Sequence, residues 1–133
     1  MTISTYINPE SLHSNPAFTQ VVRVASAADT IYVGGQNGVD STGRLAGDDI
    51  ASQTRQAMAN LTTCLEAAGA TIADVVKWTI LLRDDASLQE GFAAFGQACG
   101  RLENPPAITV AKVSGLAVPG ALVEIEAVAA VAR

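Results

Sequence analysis

The sequence predicts an α+β domain of two layers, a mixed β-sheet with two helices on one of its faces. Three observations carry that prediction. Short β-branched runs alternate with two longer segments whose apolar residues recur at helical spacing. Turn-forming residues sit between these runs rather than inside them. The order is a β-hairpin, a helix, a strand, a second helix and two closing strands, which segregates the helices onto one side.

Each element has its own local reason. "INPESLHSNPAF" carries two Asn-Pro steps, which favour turns and extended backbone. "TQVVRVAS" and "IYVGG" are strand-like, and "AADT" between them suggests an antiparallel hairpin. "QNGVDSTGRLAGDD" is glycine-rich and polar, hence loop. Asp48 or Asp49 can cap a helix over about residues 49 to 68, on which Ile50, Ala57, Leu61, Leu65 and Ala68 form one apolar stripe. Gly69 is placed to end it in the left-handed conformation. "DVVKWTILL" reads as a buried strand, and "RDD" as a turn with a cap. Leu88, Phe92, Phe95 and Cys99 give the stripe of the second helix, which stops at Gly100. "ENPP" breaks the chain, and strands follow at about 107 to 113 and 121 to 131.

Composition narrows the function classes. A chain of 133 residues suits a single domain with one core, expected over 1–133. Its net charge of −5 and singly scattered basic residues argue against nucleic acid as a partner. No apolar run approaches the roughly 20 residues that span a bilayer. His13 is the only histidine and no CxxC occurs, so no zinc site is expected. Without a signal-peptide pattern, Cys64 and Cys99 read as reduced, packed thiols of a cytoplasmic protein. Only 16% of residues are charged, and mean hydropathy is +0.28. The strands look too apolar for an uncovered sheet face, so that face is expected to meet other subunits.

One run bears on function directly. In "VEIEAVAAV" strand alternation points Glu124 and Glu126 to one face and Val123, Ile125 and Ala127 to the other. Together with "FTQVVRV", "YVGGQ", "QTRQAMANLTTCLEAAGA", "DVVKWTILLRD" and "GALVEIEAVA", in this order over almost the whole chain, it resembles the reactive intermediate deaminase (Rid) family. That resemblance implies a chorismate-mutase-like fold assembled as a homotrimer, with small-molecule clefts between neighbouring subunits. It also implies hydrolysis of short imine or enamine acids without metal or organic cofactor. An arginine holds the substrate carboxylate, and the glutamate matching Glu124 handles water.

The arginine is missing. Where the family pattern runs Pro-Ala-Arg, this chain has Pro106-Ala107-Ile108. An apolar wall replaces a planar cation with five donors. Lys112 shares the strand parity of Ile108 but lies roughly 13 Å further along, too far to substitute. Other departures agree in direction. Gly34 stands where relatives carry serine, Phe18 where many carry tyrosine, and Gln89 where an asparagine is common. The expected site is therefore Glu124 as the catalytic carboxylate, with Ile108, Val110, Phe18, Gly34, Gly35, Gln36 and Gln89 around the substrate. The expected reaction is hydrolysis or tautomerisation of an imine- or enamine-like metabolite. A binding or protein-protective trimer without chemistry is the alternative.

Overall fold

The computed structural model describes residues 3–133. Its elements are β1 (Ser4–Ile7), β2 (Val21–Val24), β3 (Ala28–Gln36), α1 (Ile50–Ala67), a short 3-10 turn (Ile72–Asp74), β4 (Val75–Arg83), α2 (Leu88–Cys99), β5 (Ala107–Val113) and β6 (Val123–Ala132). The main sheet runs β3-β6-β4-β5. β6 is antiparallel to both neighbours, while β4 and β5 are parallel. A parallel pair needs a crossover, and α2 supplies it. This is the expected mixed sheet with two helices.

The helices start and stop on the residues that chemistry favours. Asp49 caps α1 by accepting from the Ser52 N–H at 2.8 Å. Gly69 (φ 82°) and Gly100 (φ 67°) follow the two helices in the left-handed region, where a Cβ would be strained. α2 is capped by Ser87, which accepts from Glu90 N–H at 3.2 Å, and not by the aspartates of "RDD". Asp85 is instead held by the Arg83 guanidinium through contacts of 2.6 and 3.0 Å.

Two expectations are corrected. β2 does not form a hairpin with β3; it pairs antiparallel with β1, a strand the sequence analysis does not assign. β3, nine residues long, takes the ten-residue β6 as its partner. Val22 and Val24 then find cover by packing with Ile3 against Val76, Ala28 and Ala130 at one end of the sheet. The sheet face away from the helices is also more polar than expected. Paired residues share a face, so Lys77, Thr79, Thr109, Glu124 and Glu126 all lie there beside Leu81 and Val128.

The helix-side core joins Trp78, Ile80 and Leu82 of β4 and Val123, Ile125 and Ala127 of β6 to Ile50, Ala57, Met58, Leu61 and Leu65 of α1. Ala68 falls outside it, exposed at the end of α1. Gln53 is fully buried among these apolar groups. Its amide donates to Gly47 O (2.9 Å) and Gly120 O (3.2 Å), and its carbonyl accepts from Leu122 N–H (2.8 Å). It thus fastens two loops to α1 at the point where β6 begins. A Cβ on Gly38 would come within 2.5 Å of the Gln53 backbone, so that loop can approach only as glycine.

Next along α1, Thr54 is equally buried, but its hydroxyl has no partner. Adjacent substitutions should therefore move stability in opposite directions. Gln53→Leu strands three backbone groups and should cost about 3 kcal/mol or more, whereas Thr54→Val should raise stability by about 1 kcal/mol. Urea denaturation of both variants checks this, and a stabilised Gln53→Leu protein would contradict it.

Candidate functional site

Glu124 lies one residue into β6, on the face away from the helices. The register between β3 and β6 breaks between Val33 and Gln36, so Gly34 and Gly35 form a bulge. The carboxylate occupies the room this opens. A Cβ on Gly35 would stand 2.6 Å from Glu124 Oε2. Gln36 pairs with Ile125, and its amide folds back onto Gly34 O at 3.2 Å.

A residue that the sequence reading passed over holds the carboxylate. Asn37 Nδ2 donates to Glu124 Oε1 (3.3 Å) and to Val123 O (3.0 Å). Asn60 on α1 in turn donates to Asn37 O (3.2 Å) and Val39 O (2.8 Å), and Gln56 donates to Asn60 Oδ1 at 2.9 Å. Helix α1 thereby orients the acid through the loop. The available signal was an asparagine two residues after a glycine bulge, which reads in sequence only as turn chemistry.

Ile108 belongs to a second assembly. It pairs with Trp78, and Val110 with Ile80, so both point to the helix side of the sheet. There they line a cavity of about 510 Å³ with Phe18, Trp78, Phe95 and Cys99. β5 is the edge strand, and the cavity lies between it, α2 and the segment around Phe18. Trp78 and Phe95 meet edge to face at 5.1 Å and 86°. None of the lining residues is charged, and the carbonyl of Asn15, the one amide side chain in the wall, accepts from Ala17 N–H at 2.8 Å. Gln89 stands exposed in the first turn of α2, outside the cavity wall.

The predicted residues therefore fall into two groups. Glu124, Gly34 and Gly35 come together at the bulge, with Gln36 beside them; Phe18, Ile108 and Val110 come together in the cavity. Leu81 pairs with both Glu124 and Ala111, so Ile108 lies two strands across and three residues along from Glu124. That puts their Cα atoms roughly 14 Å apart, with side chains on opposite faces. No single chain joins them in one site.

Among the described residues no cluster of three or more His, Cys, Asp or Glu could hold a metal, and no helix is long and apolar enough to cross a membrane. The sheet order and the helix layer define a two-layer α+β protein with a cavity beside its edge strand. The family described as Endoribonuclease L-PSP matches residues 10–131, and the chain belongs to it, the family otherwise known as Rid or YjgF/UK114. A Rattus norvegicus protein named 2-iminobutanoate/2-iminopropanoate deaminase is 38% identical over 117 residues, covering 85% of this chain and 79% of that one. A RutC family protein of Pyrococcus horikoshii is 36% identical over 104 residues, covering 77% and 80%. Among solved structures, a Rid family protein of unknown function from Yersinia pestis superposes with a TM-score of 0.84 at 30% identity, covering 98% of this chain and 100% of its own. A YjgF/YER057c/UK114 family member from Mycobacterium tuberculosis gives 0.66 at 35% identity, covering 96% and 99%.

Burial in the cavity wall pushes the Cys99 thiol up to about 12 from an ordinary 9.0. Its thiolate should be about a thousandfold scarcer near pH 8 than that of a free cysteine, since each pK unit is tenfold. Cys99 should then react with iodoacetamide at least about a hundredfold more slowly in the folded protein than in urea. Peptide mass spectrometry reads both rates, and equal rates would contradict the packed, protonated thiol.

Proposed function

We propose that this Rid-family chain hydrolyses or tautomerises a small imine- or enamine-like metabolite that lacks a 2-carboxylate, in clefts between the subunits of a cytoplasmic homotrimer. The supporting observation is the Ile108 cavity: it is large enough for a metabolite and offers no cation to an acid group. Relatives at 36–38% identity include a protein named as a 2-imino acid deaminase, which supports imine chemistry as the starting point. Ile108 then redirects the substrate, because a carboxylate buried beside it would lose its hydration with nothing in exchange.

Glu124 is the one acid of this site with the placement for catalysis. Its carboxylate can orient a water, take a proton as the oxygen bonds to the imine carbon, and return that proton to the departing nitrogen. The C–N bond then breaks, leaving a carbonyl compound and ammonia. Asn37 fixes one carboxylate oxygen and leaves the other, above Gly35, for the water. Since Ile108 and Glu124 face opposite sides of their own sheet, the reading takes the cavity from one subunit and the carboxylate from another. This geometry, rather than an apolar open face, is what argues for the oligomer.

A non-catalytic binding trimer is the second reading, and one observation favours it. Nothing charged in the cavity wall could polarise a bound substrate. RNA is disfavoured by the net charge of −5.

The wild-type protein should turn over 2-iminopropanoate poorly. A charge-assisted carboxylate contact contributes about 1.5–3 kcal/mol, so Ile108→Arg should raise that activity by about 10- to 100-fold. Glu124→Gln in the same background should abolish the gain. Coupled detection of pyruvate measures all three proteins. A folded Ile108→Arg protein that neither binds pyruvate nor hydrolyses the imine would remove Ile108 from the site.

A further inference from the structure

The cavity beside β5 carries more information than the absence of a cation. Its walls are rings and aliphatic groups: Phe18, Trp78, Phe92, Phe95, Ile108 and Val110. Three backbone carbonyls of the wall are already taken. The Pro105 carbonyl accepts from Thr19 Oγ1 at 2.6 Å, and the Pro106 carbonyl from Thr19 N–H at 3.2 Å. The Gly96 carbonyl accepts from Gly100 N–H at 3.0 Å. The Cys99 thiol contributes a soft, neutral surface.

Gly96 shows that the space is kept open. It sits inside α2, where glycine is less favourable than alanine, and it lines the cavity. A Cβ there would meet nothing within 4 Å, so no packing contact demands a glycine. A larger residue would strengthen the helix and fill the cavity. Trp78 is buried at 2% exposure and backs the Phe95 ring edge to face, so the rings a ligand can reach are those of Phe18, Phe92 and Phe95. At about 510 Å³ the cavity lies in the range of small-molecule sites.

We propose that the cavity formed by α2, β5 and the Phe18 segment binds an uncharged molecule carrying an aromatic ring, seated against Phe95 with Gly96 leaving it room. The inference rests on the hydrolytic reading for its choice of site and deepens it by naming the substrate class: a neutral aryl imine or enamine in place of a short imino acid.

Trp78 is the only tryptophan of the chain and backs the Phe95 ring of the cavity, so a ring bound there lies within quenching range of its fluorescence. The test titrates the purified full-length protein with 4-nitrotoluene, a neutral ring that quenches indole emission, and with 4-nitrobenzoate, the same ring bearing a carboxylate. Saturable quenching by 4-nitrotoluene is expected, with 4-nitrobenzoate at least about tenfold weaker because its charge would be buried unpaired. Gly96→Leu should weaken 4-nitrotoluene at least about tenfold while melting no lower than the parent, since leucine is the better helix former. Quenching that never saturates, equal binding of the two rings, or unchanged binding in Gly96→Leu would each overturn the proposal. The two readings fail separately. A protein that binds 4-nitrotoluene but hydrolyses no imine overturns the hydrolysis alone. One that hydrolyses imines but prefers 4-nitrobenzoate overturns the aromatic, uncharged ligand alone.

Discussion

β6 lies between β3 and β4, and its register against both decides which side of the sheet Glu124 meets. Because strand side chains alternate, pairing Leu81 with Glu124 sends the carboxylate away from the helices. Pairing Trp78 with Ile108 across the neighbouring strands sends the isoleucine toward them. A slip of one residue in β6 would turn Ile125, wholly buried in the core, outward and drive Glu124 in. Gln53 pins the start of β6 through Leu122, and Asn37 pins the Glu124 carboxylate two residues further on. The register is thus enforced at the end of the strand that carries Glu124.

The same constraint explains what could be read in the sequence. Most local signals were legible: the α1 stripe apart from Ala68, a cap at Asp48 or Asp49, the Gly69 stop and the alternation in "VEIEA" each depend on neighbours within a few residues. Strand partners were not, because β2 resembles a hairpin arm of β3 by every local criterion. Only the apolar cover that Ile3, Val22 and Val24 give to Val76 and Ala130 decides the pairing. The polarity of the open face was missed for a related reason. Lys77, Thr79 and Thr109 are spread over two apolar-looking strands, and only their register gathers them. At the site, Glu124 and its bulge were legible as a motif, whereas the Asn37–Asn60 brace joins residues 23 positions apart and has no local signature.

On the proposed reading, isoleucine in place of a guanidinium does more than delete an anchor. Ile108 sits beside Trp78, which sits against Phe95, so the loss of charge is continuous with an aromatic wall. A partial loss of function would leave stranded polar groups in such a wall. Here the nearby carbonyls of Pro105, Pro106 and Gly96 are already bonded, and the thiol is protonated by its burial. The cavity is chemically consistent with itself. On the proposed reading it is shaped for an apolar ligand rather than damaged for an acidic one.

The claim that joins these features is that Ile108 of one subunit faces Glu124 of another. Cross-linking tests it without any substrate. Ile108→Cys and Glu124→Cys chains, each with Cys64 and Cys99 replaced by serine, are co-expressed as mixed oligomers and treated with a bis-maleimide whose arms span about 10 Å, close to the spacing of two packed sheets. A cross-linked dimer joining one chain of each kind is the result this account predicts, with little product when either variant is treated alone. Mixed oligomers that yield no such dimer, or chains that stay monomeric throughout, would contradict it.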